Sequence, residues 1–295
     1  MNTRRLRHLA FASAAILVSN QSYSALGNEI PASFQSELAW VTFAPEGEEL
    51  TLMVPALPTV RTYPVSAPDQ SDHERILAQR EYSGYGSGLV FVIESYKAER
   101  PQRLWGNLLN HADNGAVFER DISFDDITAR QYRSSYESRY ARYTTRFVRF
   151  ATKEHVYLIT LAMLEDTNSI VDRFVSSLRL RRPEDQSTNY AQRSDSIPGH
   201  AFGPNEVTRR AVVVWKNAPY YTNQARSHRI VGTVKLEAIL AADGYVSNIT
   251  VTKELKDGLT ESAIEAARNI RFFPAEKDGK PVSQLIMLEY SFSLF

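Results

Sequence analysis

The clearest signal in the hydrophobic pattern lies toward the C-terminal end of the chain. Val234, Leu236 and Ala238 alternate with Thr233, Lys235 and Glu237, the period of two expected of a strand that buries one face. Asp243-Gly244 turns that strand into a hairpin, because glycine accepts the positive φ such turns need, and residues 246–252 form the return strand. Leu259, Ala263, Ala266, Ala267 and Ile270 follow at helical spacing, and Pro274 stops the helix. A second turn at Asp278-Gly279 leads into a last strand, 282–292. Ile286, Leu288, Tyr290 and Phe292 face the helix there, which turns Ser283, Leu285, Met287, Glu289 and Ser291 the other way.

The opening half is less regular. Residues 40–43 and 50–55 read as a strand pair across the polar turn Glu46-Gly47-Glu48-Glu49, and Pro55, Pro58, Pro64 and Pro68 mark a loop after it. Residues 76–82 and 89–96 form a second pair joined through Gly84, Gly86 and Gly88. A helix is expected over 101–112, with Leu104, Leu108 and Leu109 at its spacing, followed by strands at 129–136, 143–151 and 156–163. Asn168 is placed as the cap of a last helix carrying Ile170, Val171, Phe174 and Leu178 on one face. From 182 to 206 the apolar period disappears and Pro, Gly, Ser, Asp, Asn and Gln dominate, the composition of a linker between two independently folded units. The expected fold class is α+β in two domains: an N-terminal antiparallel sheet with packed helices (34–181) and, after a linker (182–207), a β-β-α-β domain (208–295).

The C-terminal order of elements, with a short helix at about 220–226 ahead of it, resembles the C-terminal domain of the TonB family. The residues that carry the resemblance are Gly232-Thr233-Val234, Asp243-Gly244, Ala263, Ala267 and Arg268. To these are added Arg271-Phe272-Phe273-Pro274-Ala275, Asp278-Gly279, Pro281-Val282 and Phe292. Tyr220-Tyr221 is followed by Thr222 where family members often carry Tyr-Pro. The resemblance implies a protein-binding module that adds a partner's strand to the edge of its sheet. Ser283, Leu285, Met287 and Glu289 are the expected contact residues, and Tyr220 and Tyr221 a second region. The opposing reading is that Leu285 and Met287 pack on a loop, on the linker, or on a second copy in a homodimer. Residues 34–181 resemble PsbP/Mog1-like domains through Trp40-x-x-Phe43-x-Pro45, Val54-Pro55-x-x-Pro58 and the terminal Phe174-Val175-Ser176-Ser177-Leu178.

Composition narrows the class of function. The 295 residues are 43% hydrophobic and 23% charged, with 34 basic side chains balancing 34 acidic ones, so no overall field steers the molecule toward nucleic acid. There is no cysteine, which excludes disulfides, thiolate metal sites and a cysteine nucleophile. Arg4, Arg5, Arg7 and His8 precede a short apolar run, 9–18, with Ser22 and Ser24 at the small-residue positions of a cleavage site. Residues 1–24 therefore read as a secretory signal peptide. The run is about half the ~20 residues a membrane span needs, and a periplasmic location with no stable span after cleavage is expected. An uncleaved anchor is the competing reading.

Candidate chemistry is sparse. Gly84-Tyr85-Gly86-Ser87-Gly88 lacks the spacing of a serine-nucleophile elbow or a phosphate loop and reads as a hairpin turn. The histidines show no metal-ligand spacing, and no cofactor motif is present. Asp125-Asp126 and Glu165-Asp166 read as solvated turn residues. Arg130, Arg133, Arg139, Arg142, Arg146 and Arg149 interleave with Tyr132, Tyr136, Tyr140, Tyr143, Phe147 and Phe150. Such a pattern can hold an anionic ligand, with Arg133, Arg139, Arg142 and Arg146 as candidates for an envelope anion rather than nucleic acid. The simpler account puts the tyrosines inward and pairs the outward arginines with acids.

Together these features point to a non-enzymatic periplasmic protein that binds a partner of the envelope through its C-terminal edge strand. Two alternatives stand beside it. One is a TonB-type energy transducer for outer-membrane transport, should the first segment stay as an anchor. The other is an enzymatic or ligand-binding activity in the opening domain.

Overall fold

The computed structural model of the protein describes residues 40–63, 75–109, 116–137, 141–182 and 200–294. The expected signal peptide, Arg139 and most of the expected linker lie outside them.

The opening half contains, in order, β1 (Val41–Phe43), β2 (Leu50–Val54), β3 (Thr59–Tyr63), β4 (Ile76–Gly86), β5 (Leu89–Ala98), α1 (Pro101–Leu109), β6 (Val117–Phe124), β7 (Ile127–Glu137), β8 (Arg142–Ala151), β9 (His155–Met163), α2 (Asn168–Ser176) and β10 (Arg179–Leu180). Seven of these strands form one antiparallel sheet in the order β3-β4-β5-β9-β8-β7-β6. Phe91, Ile93, Val148, Phe150, Ile159 and Leu161 line one face. They pack on Val171 and Phe174 of α2 and on Leu50, Leu52 and Val54 of the small sheet β1-β2-β10. The opposite face is covered near one end by Leu104 and Trp105 of α1, over Tyr96, Val156 and Leu158. All of β9 is therefore buried, since a central strand covered on both sides has no solvated face.

Two strands escape the sequence pattern. β3 lies in the proline-flanked stretch that reads as a loop, and β6 is a mostly exposed edge with no buried period. The glycine run is only in part a turn. Ser87 and Gly88, at φ 51° and 73°, make the turn, whereas Gly84 and Gly86 belong to β4. A Cβ at Gly86 would lie 2.6 Å from the Pro55 carbonyl oxygen, and one at Gly84 2.8 Å from the Phe91 ring, so both positions serve close approach. Thr167 rather than Asn168 is the N-cap of α2, and the Asn168 side chain accepts from Arg146 instead.

The C-terminal half contains β11 (Val212–Trp215), α3 (Asn223–Ser227), β12 (Gly232–Leu240), β13 (Val246–Lys253), α4 (Leu259–Arg268), β14 (Arg271–Phe273), β15 (Ala275–Lys277), β16 (Lys280–Val282) and β17 (Gln284–Phe292). The main sheet has the order β13-β12-β17, and α4 covers one face. Val234, Leu236 and Ala238 meet Ala263, Ala267, Phe272, Leu288, Tyr290 and Phe292 in one core, with Ile286 partly buried at its margin. Helices are few among the described residues and strands dominate, so the expected α+β description holds only in this β-rich form.

The two halves touch. Phe273 packs with Val90 and Ala162 on the uncovered part of the seven-stranded sheet, joined by Tyr85, Tyr143, Val212 and Val214. Tyr245 donates to the Ser83 carbonyl at 3.3 Å, and Arg271 pairs with Glu81.

Candidate functional site

Among the strands of the described residues β17 pairs with β12, and beyond a single bridge from Phe202 at Gln284 its other side is a sheet edge. Register fixes what that edge presents. Ile286, Leu288 and Tyr290 stand opposite Ala238, Leu236 and Val234. On the far side, the Leu285 N–H donates to Phe202 and the Ser283 carbonyl accepts from Phe202, both at 2.9 Å. Backbone groups alternate in direction along an antiparallel strand. Met287, Glu289 and Ser291 therefore aim N–H and C=O at the open edge, while their side chains lie on the face away from α4.

The expected contact residues are not equivalent. Ser283 is buried, its hydroxyl accepting from the Ala242 N–H at 3.1 Å and its carbonyl accepting from Phe202. Leu285 is half-buried and its N–H is taken. Met287 is 57% exposed. Glu289 is exposed, and the Lys235 ammonium beside it, 2.6 Å away, holds its carboxyl below the usual carboxylate range. Lys216 donates to the Glu289 carbonyl at 3.0 Å, with its ammonium 4.3 Å from the Tyr290 ring centre.

The second region divides as well. Tyr220 is exposed, with its carbonyl bonded to Ser262 of α4. Tyr221 is committed to packing: its hydroxyl donates to the Ile230 carbonyl and its ring meets Phe292 edge-on at 5.7 Å.

Three of the four candidate arginines, Arg133, Arg142 and Arg146, have carboxylate partners within the chain. Arg146 is fully buried and lies 2.9 Å from both Glu119 and Asp166. Arg133 also pairs with Asp166, and Arg142 with Glu137. Internal carboxylates already meet these guanidinium groups, and Asp166, read as a solvated turn residue, is one of them.

The sequence reading missed a buried carboxylate. Glu48, expected in a solvated turn, accepts from Tyr82 at 2.8 Å, Ser95 at 2.5 Å and Tyr157 at 3.0 Å. Burial first, and then the Glu48 charge, push both tyrosine hydroxyls far above their ordinary range. Beside it Glu49 takes hydrogen bonds from His155, Thr152 and the Glu154 N–H. Burial opposes ionisation of Glu49, but these bonds and the His155 charge outweigh it and hold the carboxyl down at about 2. Both Glu48 oxygens are filled from within, so the cluster fastens the β1–β2 turn to the large sheet rather than offering a vacancy. Among the described residues no group of His, Asp and Glu is placed to hold a metal ion.

A three-stranded antiparallel sheet, covered on one face by a single helix and open along its last strand, defines a small edge-presenting domain. Residues 217–294 match the family described as the Gram-negative bacterial TonB protein C-terminal, so this part of the chain is similar in sequence to that domain. The solution NMR structure of the Pseudomonas aeruginosa TonB C-terminal domain is similar at 22% identity, covering 32% of this chain and 96% of that one, with a TM-score of 0.27. A crystal structure from Bacteroides thetaiotaomicron VPI-5482 aligns at 9% identity over 64% of this chain and 56% of that one, with a TM-score of 0.31. The assignment rests on the sequence match and not on these superpositions. No curated protein matches the chain.

Proposed function

We propose that the protein is a non-enzymatic periplasmic adaptor, exported by a signal peptide at residues 1–24. Its C-terminal domain binds a protein of the envelope by strand addition. The opening domain, 34–181, is carried on the other side of a linker spanning 182–207. The observation that supports this most is the outer edge of β17 beyond Phe202, which no other strand covers among the described residues. Met287, Glu289 and Ser291 direct backbone groups outward beside an exposed Met287 side chain, and backbone pairing gives affinity while alternate side chains give specificity. The family match supports the reading, since it runs over residues 217–294 and so includes β17. Within the described residues no helix is long and apolar enough to cross a membrane.

A photo-crosslinking amino acid at Met287 tests the reading in cells. It should yield a discrete adduct with another envelope protein, and the same group at Thr250, on the opposite edge strand β13, should not. Equal labelling from both positions, or none from Met287, would remove β17 as the binding edge.

A further inference from the structure

The free edge of β17 is short and guarded. At one end Phe202 already occupies the Ser283 carbonyl and the Leu285 N–H. Further along, the Glu289 carbonyl is the acceptor that an added strand would need, and the Lys216 ammonium is bonded to it. Lys216 is half-buried. Loss of solvation pushes its pKa down, with the Glu289 charge working the other way. Its ammonium has the Tyr290 ring face and one carbonyl, but no carboxylate partner among the described residues. The nearby Glu289 carboxylate is bonded to Lys235, and Lys253 also acts on it. Three lysines therefore gather around one carboxylate.

Resting on the edge reading above, we infer that Lys216 is a charged gate that selects the strand β17 accepts. An incoming strand that bonds the Glu289 carbonyl, whose oxygen has a second lone pair, meets the ammonium already held there and pushes it aside. A displaced, partly desolvated ammonium is costly unless another anion meets it. The strand that enters thus brings its own carboxylate. Direction adds a second requirement. Tyr290 faces α4, so Lys216 reaches the edge from the helix side, whereas Met287 lies on the opposite face. Side chains alternate along a strand. The acidic residue and the apolar residue that packs on Met287 therefore stand an odd number of positions apart. The partner is an extended segment with an Asp or Glu next to, or three positions from, a large apolar residue.

The test pans a displayed library of random ten-residue peptides on three full-chain proteins: wild type, Lys216→Met and Lys216→Glu. Methionine keeps the stem on Tyr290 and removes the charge. Wild type should recover peptides with an acidic residue at odd spacing from an apolar one, and their binding should weaken as salt rises. Lys216→Met should lose the acidic preference and bind peptides without acid about tenfold more tightly than wild type does, the equivalent of about 1.4 kcal/mol. Lys216→Glu should favour basic residues. Matching thermal unfolding of the three proteins separates gating from misfolding. Where a variant unfolds early, the salt dependence of the wild-type peptides decides, and its absence overturns the gate. Identical pools and affinities across the three proteins would overturn the gate while leaving the edge in place. Peptides that bind Met287→Pro and Met287→Lys as well as wild type, or no recovered peptide at all, would remove the edge reading and the gate with it.

Discussion

The guanidinium of Arg271, on the strand that follows the C-terminal helix, pairs with the carboxylate of Glu81 in the large sheet of the opening half, and both side chains are largely shut from water. The same carboxylate accepts from the Tyr63 hydroxyl at 2.8 Å. A second pair, Arg61 with Glu265 of α4, lies close by. The composition between the halves suits a linker, yet these contacts tie the halves together. Both charges of the Arg271–Glu81 pair are largely shut from water, so removing one leaves the other without its opposite charge, a change that typically costs about 3–5 kcal/mol.

Proteolytic nicking within residues 183–199, whose Ser-, Asp- and Gln-containing sequence suits protease access, should therefore leave two fragments that elute together on size exclusion. Arg271→Met should let the nicked fragments separate. Spontaneous separation of the nicked wild type at physiological salt would show that the contact surface is too weak to hold.

Leu288 and Met287 are neighbours on β17 with opposite fates. Leu288 is enclosed between sheet and helix, while Met287 is open. Leu288→Ala should lower the unfolding free energy of the C-terminal transition by roughly 2–5 kcal/mol, and Met287→Ala by less than about 0.5 kcal/mol. Similar losses in urea titrations would mean that the strand's facing is wrong.

The C-terminal domain was legible because its information is local. Periods of two and then of 3.6, punctuated by Asp243-Gly244, Pro274 and Asp278-Gly279, suffice to order the strands and place Leu288 inside. What escaped depends on partners far away in sequence. Glu48 looks solvated until Tyr82 and Tyr157 fold over it, and Arg146 looks exposed until Glu119 and Asp166 close on it. β3 hid behind flanking prolines, and β6, an exposed edge, has no buried face to leave a pattern. Phe202 and Lys216 had no local signal either, since their roles come only from lying against β17.

Acid should loosen the opening half in a defined window. The Glu49 carboxyl sits at about 2 in the folded protein against an ordinary 4.5. A depressed folded pKa contributes stability above the unfolded value, and that contribution is lost as pH falls toward the folded one. The loss should run from about 4.5 down to about 2. Glu49→Gln has no such titration. The stability difference between wild type and this variant in urea melts should stay constant at neutral pH and shrink across that window. A difference that is flat down to about pH 2 would show that the bonds from His155, Thr152 and the Glu154 N–H do not favour the ionised form.

Gly244 is required at its position for two separate reasons. Its φ of 90° is a conformation that costs a side-chain-bearing residue about 1–3 kcal/mol, which is the reason the hairpin after β12 carries glycine. The structure adds a demand that the turn itself does not make: a Cβ at this position would lie 2.6 Å from the Cβ of Tyr85, in the opening half. The neighbouring Tyr245 hydroxyl is bonded to the Ser83 carbonyl at 3.3 Å, so the hairpin tip is docked and cannot swing aside without losing that bond. Gly244→Ala should therefore act twice. In a fragment of residues 200–295 only the backbone cost applies, and the thermal midpoint should fall modestly. In the full chain the alanine methyl must also push the tip off Tyr85, so the fall should be larger and the nicked halves should part more readily. Equal shifts in fragment and full chain would mean that the tip is free of Tyr85 in solution and that the halves are held by the Phe273 contacts and the pairs Arg271–Glu81 and Arg61–Glu265.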